Sequence, residues 1–154
     1  MLDGGSWRRY PAPELRDSKA EALSRVSLFA GCSRAELDFL VTRTDEVEVE
    51  SGRTLITQGH AGDTFYVLLD GEATVEVDGH KRPALGPGSF FGEISMLDRG
   101  PATATVVTTT RARLMVMSHA QFRDAIKANE HLLLQVMRAM AERLRRDSLD
   151  REPA

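Results

Sequence analysis

A glycine followed by a glutamate lies within Leu85-Gly86-Pro87-Gly88-Ser89-Phe90-Phe91-Gly92-Glu93-Ile94-Ser95-Met96-Leu97. That pair is where the residue types and spacing of this 154-residue chain point most clearly to chemistry. Gly92 has no Cβ, so the backbone can approach a ligand closely there. Glu93 to Leu97 can close one helical turn, and the unpaired amides that open such a turn point toward negative charge. Glu93, ionised and turned inward, only accepts hydrogen bonds; it suits a sugar hydroxyl and repels a phosphate set beside it. Amides for an anion next to a carboxylate for a hydroxyl is the division of labour that a ribose phosphate requires.

Other chemistries find less support. His60, His80, His119 and His131 are scattered, with no His-x-His or i,i+4 pairing, so no metal site is expected. Ser118 beside His119, or Ser89 near Glu93, lacks the strand-turn-helix elbow and oriented base of a nucleophilic centre, so no catalytic residue is assigned and no enzyme is expected. Cys32 is the only cysteine, which excludes an internal disulfide and suggests a reducing, cytoplasmic setting. A net charge of -3 gives no overall pull toward nucleic acid or an anionic membrane. The N-terminal residues lack the apolar core of a signal peptide, and no later stretch has the length of a membrane span.

The elements that must hold the cassette follow from periodicity. Residues 1–12 contain glycine, arginine and proline without apolar rhythm and read as a flexible arm. Pro13 suits the first turn of a helix over 13–26. Ser33 and Glu36 have capping-box spacing ahead of Leu37, Leu40 and Val41, which places a second helix near 34–43. From residue 46 the period changes to two, with Val47 and Val49 set between glutamates, then the run Thr64 to Leu69, then Val75 and Val77. Nine of the twelve glycines fall between Gly52 and Gly100, and such dense turn punctuation fits a roll or barrel better than a parallel sheet with crossover helices. Two further β-rich runs, ATATVVTTT and RARLMVM, should close the sheet near Met117. Ser118 and Gln121 repeat the capping-box spacing, Asn129 can cap a last helix, and Leu133, Met137, Met140 and Leu144 form its apolar stripe. A single domain over 13–154 is expected, with helices in 13–43, the roll in 46–117 and C-terminal helices in 119–147. The run Arg143-Leu144-Arg145-Arg146, balanced by Asp147, Asp150 and Glu152, reads as a solvated face.

In this order of elements, over about residues 25–146, the sequence resembles the cyclic-nucleotide-binding domain family, whose members include catabolite activator protein, protein kinase A regulatory subunits and cyclic-nucleotide-gated channels. The matching residues are Gly52, Gly59, Phe65-Tyr66-Val67, Gly71, the Gly86-Pro87-Gly88 turn and, most specifically, Phe91-Gly92-Glu93-Ile94. The resemblance implies an α+β, mainly β fold: an antiparallel β-roll (double-stranded β-helix, jelly-roll-like) with short N-terminal helices and a C-terminal amphipathic lid helix. It implies cAMP or cGMP as ligand and no cofactor. The ligand residues it implies are Phe91, Gly92, Glu93, Ile94 and Ser95 with Ala102, Thr103 and Ala104. Glu93 would take the ribose 2′-hydroxyl and the following turn the cyclic phosphate. Met137 and Arg138 would be base or lid contacts.

One position departs from the family pattern. Where the family has Pro-Arg before a small residue and alanine, this chain has Pro101-Ala102-Thr103-Ala104. The arginine pairs with the ring phosphate, and a hydrogen bond to a charged group contributes about 1.5–3 kcal/mol. Its loss implies affinity weaker by roughly one to two orders of magnitude. The Glu93 turn, the Thr103 hydroxyl and the Ala104 amide could keep part of the phosphate recognition, Thr103 could equally serve strand propensity, and Arg99 could swing in. The function implied is a non-catalytic sensor or regulatory domain whose ligand moves the C-terminal helix. The alternative is a pseudo-receptor that binds no nucleotide and acts as a protein-interaction or dimerisation module. Either acts through a partner protein or homodimer at the C-terminal helix, or as one piece of a larger chain.

Overall fold

The computed structural model describes residues 8–9 and 16–151, with side chains over 19–146. Helix α1 (Arg16–Ser24) and helix α2 (Arg34–Thr42) flank a short 3-10 turn at Ser27–Phe29. α2 starts where its capping chemistry dictates. The Glu36 amide donates to Ser33 Oγ at 3.1 Å and the Ser33 amide donates to the Glu36 carboxylate at 2.8 Å, so two otherwise orphan donors are satisfied reciprocally. That backbone bond also holds the Glu36 carboxyl below its ordinary pKa.

The described residues include nine strands: β1 (Arg8–Arg9), β2 (Asp45–Val49), β3 (Thr54–Ile56), β4 (Thr64–Asp70), β5 (Ala73–Val77), β6 (His80–Leu85), β7 (Phe90–Phe91), β8 (Thr105–Thr108) and β9 (Ala112–Ser118). They form a five-stranded sheet in the order β1-β2-β9-β4-β7 and a four-stranded sheet in the order β3-β8-β5-β6. Every pairing is antiparallel, as expected of a roll. The β5–β6 hairpin turns through Asp78 and Gly79, both at positive φ (53° and 77°), the two-residue geometry whose twist matches that of the flanking strands.

The apolar run in β4 is explained by burial on both faces. Phe65 and Val67 point into a core shared with the helices, whereas Tyr66 and Leu68 point between the sheets. β9 does the same, with Met115 and Met117 on the helical side and Leu114 and Val116 on the other. An antiparallel strand with one wet face would alternate with polar residues; these two strands have no wet face to alternate onto. The inter-sheet core is completed by Val47, Val49, Leu55, Ala73, Phe91, Val106 and Ala112.

Helix α3 (Glu93–Asp98) leaves the roll after β7, and helices α4 (His119–Ala128) and α5 (Glu130–Arg151) follow β9. α4 opens with the second reciprocal cap, in which Gln121 N donates to Ser118 Oγ at 3.2 Å and Ser118 N donates to the Gln121 side chain at 2.8 Å. Asn129 breaks the path in extended conformation and caps α5, its side-chain oxygen accepting from the amides of His131 (3.0 Å) and Leu132 (3.3 Å). Its amide nitrogen meets Cys32 Sγ at 3.0 Å, and burial pushes that thiol's pKa up.

Two elements differ from the sequence reading, and one expected boundary lies outside the described residues. Two residues of the 1–12 arm, Arg8 and Arg9, pair with Glu48 and Val47 and extend the first sheet, because the outer edge of β2 offers unpaired backbone groups. The expected start at Pro13 lies outside the described residues, and α1 is described from Arg16. The packed face of α5 is Leu132, Val136, Ala139 and Met140, one residue out of register with the stripe read as Leu133, Met137, Met140 and Leu144. Leu134, Met137 and Leu144 are exposed instead.

Candidate nucleotide-binding site

The cassette begins on an edge strand. β7 is only two residues long and pairs with β4, Phe91 opposite Tyr66 and Phe90 opposite Val67. Its two phenylalanines point opposite ways, as a strand requires. Phe90 joins the helical core, and Phe91 stacks on Tyr66 with ring centroids 4.9 Å apart in the inter-sheet core. Burial holds the Tyr66 phenol well above its ordinary pKa, and its hydroxyl donates to the Leu55 carbonyl at 3.1 Å. Phe91, expected in the ligand set, lies in the inter-sheet core directly before Gly92.

Gly92 caps α3 at φ +90°. A Cβ built there would lie 2.5 Å from the Thr64 carbonyl oxygen. The close approach that demands glycine here is to β4, and it clamps the start of α3 onto the roll. Glu93 follows in the first turn and is only 2 % exposed. Ser95 is buried too, with its hydroxyl filling the space that a side chain at Gly62 would need. Ile94 is half-buried. α3 ends at Arg99, a non-glycine residue at φ +61° whose amide donates to the Ser95 carbonyl, and Asp98 accepts from the Gly100 amide at 2.7 Å.

The second half of the cassette is held by backbone hydrogen bonds to the neighbouring turn. The Ala102 amide donates to the His60 carbonyl and the Gly59 amide donates to the Ala102 carbonyl, each at 2.8 Å, while Ala61 and Pro101 form an antiparallel bridge. Ala102 is buried, Thr103 exposed and Ala104 half-buried. Among the two expected cations, Arg99 is exposed, and Arg138 with its neighbour Met137 is exposed on α5.

The cation that does reach the cassette is Arg143, from the run read as a solvated face. One Nη donates to a Glu93 carboxylate oxygen, the other donates to the Phe90 carbonyl at 2.7 Å, and the guanidinium carbon lies 4.8 Å over the Phe90 ring. The burial of Glu93 makes physical sense only with such a partner, since an ionised carboxylate out of water is costly unless paired. Arg143 follows Ala139 by four residues and Val136 by seven, so it belongs to the packed face of α5. Had the helical register been set on Leu132 rather than Leu133, the sequence would have placed Arg143 inward.

No helix among the described residues is long and apolar enough to cross a membrane, and none of the described histidines, cysteines and carboxylates gather in a group of three that could hold a metal.

Comparisons with known proteins bear on the family and the fold. The family model described as "Cyclic nucleotide-binding domain" matches residues 46–129, from β2 to the cap of α5. The CRP-like cAMP-activated global transcriptional regulator of Mycobacterium tuberculosis is 30% identical over 131 residues, covering 82% of this chain and 58% of the relative. The cAMP-dependent protein kinase regulatory subunit of Yarrowia lipolytica is 31% identical over 118 residues, covering 77% and 32% respectively. The chain thus spans well under two thirds of the length of these relatives. Among solved structures, Thermus thermophilus catabolite activator protein superposes with a TM-score of 0.72 at 26% identity, over 80% of this chain and 60% of that one. With the roll, the Phe91-Gly92-Glu93-Ile94 cassette and the matched model in agreement, this chain belongs to the cyclic nucleotide-binding domain family.

Proposed function

We propose that the chain is a non-catalytic sensor of cAMP or cGMP, acting in the cytoplasm, in which occupancy of the cassette is coupled to the position of α5. The observation that carries this reading is the pairing of Glu93, the expected ribose ligand, with Arg143 on α5. A nucleotide that engages Glu93 acts on a carboxylate already shared with the helix. A ligand shifts a conformational equilibrium only by its differential affinity for the two states, and a shared carboxylate is one source of such a difference. Relatives named as a cAMP-activated regulator and a cAMP-dependent kinase regulatory subunit support the same class of ligand.

Ala102 sets the expected strength. Without the arginine of the family pattern, phosphate affinity is weaker by roughly ten- to a hundredfold. Calorimetric titration of the full chain with cAMP and cGMP, beside the Ala102→Arg variant, tests this. Weak binding by the native chain and tighter binding by the variant are expected; absence of binding to both proteins at millimolar nucleotide refutes the sensor.

A second reading rests on the exposed Leu134, Met137 and Leu144 of α5. In it the native chain binds no nucleotide and α5 docks a partner protein or a second copy. Binding by Ala102→Arg alone in the same titration selects this reading.

A further inference from the structure

We propose that Arg143 is the phosphate partner of this chain: the positive charge that the cassette lacks at residue 102 is delivered from α5. This rests on the reading of the chain as a nucleotide sensor and assigns a ligand contact within that site.

Four observations converge on it. The wall that should carry the cation is intact, since both backbone groups of Ala102 are hydrogen-bonded to the Gly59–His60 turn, so only the charge is missing there. Arg99, the nearest arginine in sequence, is exposed and follows a closed helical turn at positive φ. Arg143 touches both ends of Phe90–Glu93, through the Phe90 carbonyl and the Glu93 carboxylate. Its guanidinium has five N–H donors; those two acceptors and the face of the Phe90 ring are its partners among the described residues, and the side chain remains 36% exposed.

Charge favours the same assignment. A bare Glu93 would repel a phosphate bound at the start of α3, and a guanidinium already paired with Glu93 removes that repulsion while offering its remaining donors to the anion. The ribose hydroxyl and the phosphate would then be read by one coupled pair, Glu93 from the roll and Arg143 from the helix. The sign of the switch follows: cyclic nucleotide holds α5 in the docked position rather than expelling it, because the phosphate gains its cation only when α5 is docked.

The test is calorimetric titration of the full-length chain, with cAMP and with adenosine as the phosphate-free probe, for the native protein, Arg143→Gln, Arg143→Lys, Ala102→Arg and the A102R/R143Q double variant. The native chain is expected to prefer cAMP over adenosine, and Arg143→Gln to lose roughly ten- to a hundredfold of that preference. Arg143→Lys, which keeps the charge but not the fork, is expected to fall between them. In the Ala102→Arg background the same Gln substitution should cost only severalfold, since the cassette then carries its own cation. An unchanged cAMP-to-adenosine ratio in Arg143→Gln overturns the assignment and leaves the sensor standing. Equal affinity of the native chain for both probes also overturns it, in favour of a neutral nucleoside ligand. Absence of binding to both probes by every variant removes the sensor itself and the assignment with it.

Discussion

The two halves of the cassette are built by different means. Phe90 to Ser95 is held by side chains in addition to the β7–β4 pairing: Phe91 stacked on Tyr66, Glu93 paired with Arg143 and Ser95 filling the space over Gly62. Pro101 to Ala104 is held by backbone hydrogen bonds to residues 59–61, and its side chains are small. A wall fixed through side chains cannot change residue without changing shape, because close-packed neighbours resist both cavities and overfilling. A wall fixed through its backbone can lose an arginine and keep its path. The comparison explains how this chain can match its family in fold and depart from it at the residue most important for phosphate.

The contrast can be attacked from both sides. Phe91→Ala, on the side-chain wall, should lower stability by about 3–5 kcal/mol, as for a large buried aromatic; thermal or urea unfolding measures it, and a loss below about 1 kcal/mol would mean that the wall is not held by packing. Ala102→Arg, on the backbone wall, should change binding rather than stability. It is expected to tighten cAMP by about 1.5–3 kcal/mol where Arg143 is replaced by Gln and by less in the native chain, and a variant that melts as early as Phe91→Ala would show the second wall to be packed as tightly as the first. Gly92→Ala forces a side chain into left-handed backbone against the Thr64 carbonyl and should destabilise by about 1–3 kcal/mol, read by the same unfolding curves. Thr103→Ala, exposed on the second wall, should stay within about 0.5 kcal/mol of the native chain; a larger loss would give its hydroxyl a structural role.

Local chemistry was what the sequence disclosed best. Both reciprocal caps, at Ser33–Glu36 and Ser118–Gln121, and the Asn129 cap could be read directly because their partners lie within three residues of each other. The roll was legible from turn glycines and period-two strands, although β3 and β7 are too short to show a period of their own. The role of Gly92 was half legible. A close backbone approach there could be anticipated, but the positive φ, and the Thr64 carbonyl of a distant strand against which a side chain would clash, could not. Arg143 was misread for the same reason. Its partners Phe90 and Glu93 lie fifty or more residues upstream, and the only local signal was its spacing from Val136 and Ala139, which a register set on Leu133 conceals.

Asn129 sets the point from which α5 carries Arg143 toward the cassette. It is the single extended residue between α4 and α5, buried and tied to Cys32 below and to the first amides of α5 above. From that fulcrum to Arg143 runs a continuous helix of fourteen residues, a rigid lever of about 21 Å at 1.5 Å per residue. A tilt of about 10° at the fulcrum swings the far end by about 3.5 Å over that length, more than the reach of a hydrogen bond. A small rotation at one capped asparagine is therefore amplified along α5 into a displacement at Arg143 comparable to a hydrogen-bond length, which the arginine side chain would have to follow to keep its pair with Glu93.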